Sequence, residues 1–436
     1  MSNKKQASGT KKVGEPALVP KLRFPEFRGT VGWTEKHLNE IADPVTERAP
    51  QGEEDNVLSL SAEYGIVLQS EFFGRKVAGD NSERYLKIAR NDFVYNDRTT
   101  KTSTFGTIKR LSKHSSGIVS PIYKCFRFHD KENPVFWEWY FESGLHNKAL
   151  ARLVNEGART GRFNISITQF LSTGAWRPTE LEQKKIAECL SSADELIAAQ
   201  ARKVDALKAH KKGLIQQLFP REGETQPRLR FPEFEHAGEW VCEELASCLR
   251  KVIDYRGKAP PKSDTGIPLI TAKNVRPGWL DMSSDEYIEE DKYEEWMSRG
   301  IPQAGDVLFT TEAPLGNVAL FPDAGKFAVG QRLLTLQSEP EKCLPEFLFH
   351  SLLSPAMQER IDFHSTGSTA KGIKSAVFVK LSFFYPKDLE EQRRIAASLT
   401  SLNDLIAAAI QKLEALRRHK RGLMQQLFPS AEEAEA

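Results

Sequence analysis

Two stretches of the chain repeat apolar residues every seven positions, with a second apolar series three residues behind. In the later stretch Leu399, Ile406, Leu413 and Leu427 fall on the seven-residue spacing, interrupted only by Lys420, and Leu402, Ala409, Leu416 and Leu423 form the companion series. In the earlier one the matching positions are Leu190, Ile197, Val204, Lys211 and Leu218, with Ala193, Gln200, Leu207 and Leu214. From Glu182 to Leu218 there is no proline and a single glycine, Gly213, so a long helix with a coiled-coil seam is predicted in each stretch. A helix lying on its own globular body would use the same positions. The shared seam and the narrowness of the apolar stripe favour pairing between the two helices.

Elsewhere the pattern changes to short apolar runs bounded by turn residues. Asp92 to Arg98, Ser103 to Leu111 and Gly117 to Phe128 read as strands, followed by a helix from about Pro134 to Val154 whose Phe136, Trp137, Trp139, Tyr140 and Phe141 read as core in preference to a base-stacking platform. Gly266 to Leu280, Gly305 to Phe321 and Gln331 to Gln337 read as strands in the later half, followed by a helix from about Pro345 to Phe363. The fold class expected is α+β, with two mixed bodies.

The chain is internally duplicated. KLRFPEF at Lys21 to Phe27 returns as RLRFPEF at Arg228 to Phe234, and residues 183–220 return at 392–429 with 21 of 38 positions identical. The bodies between these anchors share no comparable identity. The organisation is therefore an amino-terminal extension (1–20) expected to be disordered, a first body (21–180), a repeat helix (181–220), a polar linker (221–228), a second body (229–388), a second repeat helix (389–429) and an acidic tail (430–436). A helix of about 36 residues is about 54 Å long, whereas eight linker residues reach at most about 28 Å. The second body must then begin near the end of the first helix. The two helices are expected to run antiparallel, with a body at each end and a pseudo-two-fold axis between them.

Composition adds an asymmetry. The net charge is +2, but residues 1–220 hold 34 Lys and Arg against 26 Asp and Glu, and residues 221–436 hold 27 against 33. Arg98 to Lys131 has eight basic residues and one acidic, Asp130, a candidate phosphate-facing surface. The loops Ala158 to Ser166 and Ser365 to Val377 mix small, polar and basic residues at equivalent places in the duplication. Such side chains bond phosphate oxygens, and Arg or Asn also reads base edges; an exposed Gly/Ser connection is the plainer reading of either loop. The five cysteines form no CxxC pair, no apolar run approaches 18 residues, and the amino terminus is polar. A reducing, cytoplasmic location without membrane span or signal peptide is expected. There is no GxxxxGK[ST], HExxH or GxGxxG, and Asn133, Pro134, Val135, Phe136 only approaches an Asn-Pro-Pro-Tyr motif. No catalytic residues and no metal ligands are assigned.

The leader heptapeptides, the helix starts LEQKKIA (181–187) and LEEQRRIA (389–396), and the closing KKGLIQQLFP and KRGLMQQLFP resemble the DNA-specificity subunits of Type I restriction-modification systems. IPLITAKNV (267–275), GDVLFTTEAPLGNVALFP (305–322) and GSTAKGIK (367–374) are similar to that family's target-recognition segments. The resemblance implies two target-recognition domains separated by an antiparallel two-helix coiled coil, each reading one half of a split double-stranded DNA target, with the helices setting the gap. It implies as partners two modification subunits, which use S-adenosylmethionine to methylate adenine, and restriction subunits that use ATP and Mg; no cofactor is expected in this chain. Candidate DNA-facing residues are Arg98, Thr99, Lys101, Lys109 and Arg110; Arg159, Arg162 and Asn164; Lys273, Asn274, Arg276, Thr310 and Thr311; and Ser368, Thr369, Lys371 and Lys374. A methyltransferase fused to its own recognition domains, and a coiled-coil adaptor that binds no DNA, are the alternatives.

Overall fold

The computed structural model describes residues 17–49, 56–73, 84–100, 103–153, 163–257, 259–283, 286–367 and 371–429. The chain divides into two compact units, Met1–Ala199 with Leu413–Ala436, and Gln200–Lys412. Both are mixed helix and sheet.

In the first unit an antiparallel sheet runs in the order Ala42–Pro44, Lys124–Phe128, Phe93–Asn96, Thr107–Arg110. A second sheet orders Gly65–Leu68, Val57–Ser61, Ser116–Val119 and Leu86–Ala89, with its middle pair parallel. The core is aromatic: Trp33, Phe93, Tyr95, Phe126, Phe136, Trp137, Tyr140 and Phe170 are fully buried, and Phe128 stacks on Trp137 at 4.7 Å. The predicted helix over 134–154 is two helices, Pro134–Glu142 and Asn147–Ala151. Gly144, at φ +77°, takes the left-handed turn between them. Asn133, the start of the incomplete Asn-Pro-Pro-Tyr match, caps the first helix by accepting from the Val135 and Phe136 amides. The extension assigned to 1–20 is ordered at its end, because Ala17–Leu18 pairs as an edge strand with Trp33 and Thr34.

The second unit repeats this topology without repeating its sequence. Leu249–Asp254, Leu333–Ser338, Val307–Thr310 and Val318–Leu320 form the antiparallel sheet in the corresponding order. A second sheet contains the parallel pair Ile267–Ile270 and Ala328–Val329. The predicted helix over 345–363 is also two helices, Pro345–Leu352 and Pro355–Phe363. Ser354 starts the second by accepting from the Met357 amide ahead of a proline at the first helical position.

The long helices are Glu180–Leu218 and Leu389–Leu427. Seam residues Leu190, Val204, Leu218, Leu399, Leu402, Leu413 and Leu427 are buried or nearly so, and Ile197, Leu207, Leu214, Ile406, Leu416 and Leu423 are half-buried. In the second unit Gln200 Nε2 donates to the Ala409 carbonyl at 2.8 Å, while Ile215 and Leu218 share a core with Ile395 and Leu399. In the first, Asp194 pairs with Lys420 at 2.5 Å while Ile186 and Leu190 share a core with Leu427 and Phe428. Rising numbers on one helix meet falling numbers on the other, so the helices are antiparallel within each unit. Their ends also dock into the bodies, which explains the repeated LFP. Phe428 sits against Trp33 and Phe136 at 5.8 and 5.7 Å, and Phe219 sits against Trp240 and Phe347 at 6.3 and 5.6 Å.

A second duplicated device ties the leader peptides to the helix starts. Arg23 forks onto Glu182 at 2.8 and 2.7 Å, and the Trp33 indole donates to the same carboxylate at 3.3 Å. Arg230, Glu391 and Trp240 do the same at 2.8, 2.5 and 3.1 Å. Glu182 and Glu391 are each 1% exposed, so the paired guanidinium is what makes a charge tenable there. Gln183 and Gln392 add equivalent buried hydrogen bonds: each amide oxygen accepts a body amide (Asn133, Leu344), and each amide nitrogen donates to a carbonyl just before its helix (Pro178, Pro386).

Candidate nucleic-acid interface

In the first unit the end of strand Phe93–Asn96 and the loop before the first long helix come together. The Phe163 amide donates to the Asp97 carbonyl at 3.2 Å, and the buried Asp97 carboxylate is paired with Lys124 at 2.7 Å. Next to this anchor Arg98 and Asn164 are exposed and Thr99 is half-buried; Asn164 holds φ +54°. Lys101, Arg159 and Arg162 lie outside the described residues. Lys109 and Arg110 need correcting as DNA-facing residues. They are only 18% and 14% exposed and pair with Glu142 and Glu138 of helix Pro134–Glu142, which ties the sheet to that helix. Arg127 likewise pairs with Asp92 at 2.6 Å, so much of the basic run from Arg98 to Lys131 serves the fold.

The second unit has the same arrangement at the equivalent strand end. The Ile373 amide donates to the Thr311 carbonyl at 3.0 Å, and Thr366 and Gly372 exchange backbone hydrogen bonds at 2.8 and 2.9 Å. Thr310, Thr311 and Asn274 are corrections, because all three are buried. The Thr310 hydroxyl accepts from the Asn317 amide at 2.8 Å, and the Thr311 hydroxyl donates to the Arg332 carbonyl at 3.3 Å. Asn274 holds a turn: its Oδ1 accepts from the Thr271 amide and hydroxyl, each at 2.9 Å, and its Nδ2 donates to the Asp281 carbonyl at 2.9 Å. These side chains present nothing to a groove. Lys273, Arg276, Lys371 and Lys374 are exposed, whereas Ser368 and Thr369 lie outside the described residues.

Around the turn at Ala313 and Pro314 the surface opens into two adjoining clefts. Lys262, Lys273 and Arg332 line one and Lys371 the other. Sequence reasoning missed Lys262 and Arg332, which precede or open strands at turns; the Gly330–Gln331–Arg332 turn was the available signal. Each cation has an acidic neighbour. Lys262 and Lys273 share Glu286, at 2.9 and 3.4 Å, and hold its carboxyl below the usual carboxylate range. Arg332 faces Glu312 at 3.1 Å and Lys371 faces Asp362 at 2.5 Å. These partners fix where the cations point and moderate their charge, which suits selective contact better than indiscriminate attraction to phosphate.

Residues 252–418 match the family model for the Type I restriction modification DNA specificity domain. Over 277 residues the chain is 27% identical to a Methanocaldococcus jannaschii protein described as type I restriction enzyme MjaX specificity subunit, covering 61% of this chain. The match spans 60% of that relative's length. The fold is shared with the Type-I restriction-modification system S subunit of M. genitalium, at TM-score 0.54 and 14% identity over 95% of this chain and 100% of that one. A chain from a structure on complex assembly and conformational transition of the type I R-M system gives TM-score 0.52 and 16% identity, over 92% and 98%. By family model over residues 252–418, by relative and by fold, the chain is similar to the Type I restriction-modification DNA-specificity subunits.

Proposed function

We propose that this chain is the DNA reader of a Type I restriction-modification complex. Each unit reads one half of a split target, and the paired helices set the spacing between the halves. The observation that carries this is the duplication of one topology with unequal sequence: at equivalent strand ends, different exposed residues stand on the same scaffold, Arg98 and Asn164 in one unit and Lys371 and Lys374 in the other. The chain itself supplies recognition and no chemistry. Two modification subunits carrying S-adenosylmethionine transfer methyl groups to adenine, and restriction subunits use ATP and Mg, all in the cytoplasm.

Reconstitution tests this reading. The purified chain alone transfers no methyl group to duplex DNA. Together with the modification subunit of its host it directs adenine methylation to one split motif. Methyl transfer by the chain alone, or motif-specific methylation by the modification subunit without the chain, contradicts the proposal.

A further inference from the structure

Among the described residues the large apolar side chain most open to solvent is Phe363, 84% exposed. It is the last residue of helix Pro355–Phe363, two positions after the buried Ile361. Its backbone is firmly held. The His364 amide donates to the Arg360 carbonyl at 3.1 Å, and the Ser365 hydroxyl donates to the Asp362 carbonyl at 2.6 Å. Arg360 fixes the helix to its unit by lying over the Phe384 ring at 4.8 Å and donating to the Ser382 carbonyl at 3.2 Å. The ring therefore projects from a rigid platform and forgoes the hydrophobic gain of burial within the chain.

The surroundings point to what covers it. Between residues 360 and 380 the sequence has Arg360, Lys371, Lys374 and Lys380 against one carboxylate, Asp362; Arg360 pairs with Glu222 at 3.3 Å and Lys371 with Asp362 at 2.5 Å, which leaves Lys374 and Lys380 as the exposed excess. The segment leading on from Phe363 is the one anchored at Thr311 beside the clefts described above. An exposed aromatic ring edge-on to His364, next to the Asp362–Lys371 pair and followed in sequence by Lys374, suits a base step flanked by phosphates. It suits a protein groove less well, since the cores of protein interfaces are depleted in lysine.

We infer that Phe363 is a DNA wedge, whose ring packs against an opened base step beside the half-site of the second unit while Lys371 and Lys374 meet the adjacent phosphates. The inference rests on the DNA-reading function proposed above. The test uses the full chain in complex with its modification subunit, and a duplex carrying the host's methylated motif with 2-aminopurine at successive positions in and beside the second half-site. Binding of the wild-type complex raises the fluorescence at one step. Phe363→Ala abolishes that rise and weakens binding about 10- to 100-fold, with the salt slope unchanged because no phosphate contact is lost; Phe363→Trp retains both. Wild-type affinity with an intact fluorescence rise in Phe363→Ala overturns the wedge, as does release of the modification subunit from that variant, which would assign the ring to a protein interface. A wild-type complex that does not bind the duplex removes the DNA-reading function, and the wedge with it.

Discussion

Arg23 shows how much of this fold depends on single buried charges. Its guanidinium bonds Glu182 and also donates to the Thr30 and Val31 carbonyls at 3.1 and 2.8 Å, so the leader peptide, a body strand and the helix start meet at one group. Arg23→Met should cost about 3–5 kcal/mol, because the carboxylate is left buried without a partner. Adding Glu182→Gln removes that charge while keeping an acceptor for Trp33, so the double variant should recover most of the loss in urea unfolding. Equal cost in single and double variants would rule out the unpaired charge as the cause. His350 gives a pH signature. It is fully buried, hydrogen-bonded to the Thr400 hydroxyl at 3.0 Å, and pushed down to about 3, first by burial and then by Lys211. From an ordinary value near 6.5 down to about 3, the unfolded chain binds this proton and the folded chain does not. Stability should therefore fall as pH drops through that window, by up to about 1.4 kcal/mol per pH unit. His350→Gln should reduce the slope measured by unfolding at pH 4 to 7 without abolishing it, because burial pushes His146 down to about 3 as well, and an unchanged slope would show that His350 does not contribute.

At the scale of elements, the long helices were legible and the loops were not. Seven-residue spacing survives in sequence because a seam must keep facing its partner, so Leu190 to Leu218 and Leu399 to Leu427 could be placed position by position. Even the polar seam positions have uses there. Gln200 bonds the Ala409 carbonyl, and Lys420 lies between Asp194 and the Trp139 ring, 4.0 Å from its centroid. Asn274 and Thr310 could not be judged in the same way. A turn-holding Asn and a base-reading Asn have the same local sequence, and only tertiary packing separates them. The clamps of Arg23 and Arg230 were visible as repeated words, but their partners are 159 and 161 residues away, a distance no local pattern spans. If the helices act as a spacer, one heptad inserted after Ala201 and another after Ala408, flanking the Gln200–Ala409 contact, preserves the seam and lengthens each helix by about 10 Å. The unspecified gap in the methylated motif should then grow by about three base pairs at 3.4 Å each, with reduced activity because the groove turns further than the helices do. Methylation at the original spacing would contradict a spacer role.

For the whole molecule, the duplication is the main result. The repeated words in the sequence mark the parts that assemble: leader, helix start, seam and closing phenylalanine. The bodies between them share a sheet order without recognisable identity, because a core needs only apolar residues of suitable volume at alternating positions, which leaves the exposed strand ends free to differ. A molecule built this way should read two different half-sequences with one architecture. The most direct test is the adenine methylome of the host with this gene intact, deleted and restored. The account predicts one motif of two specified halves around an unspecified gap, lost on deletion and regained on restoration. A deletion that leaves every methylated motif in place, or removes one that is a single uninterrupted block, would contradict it.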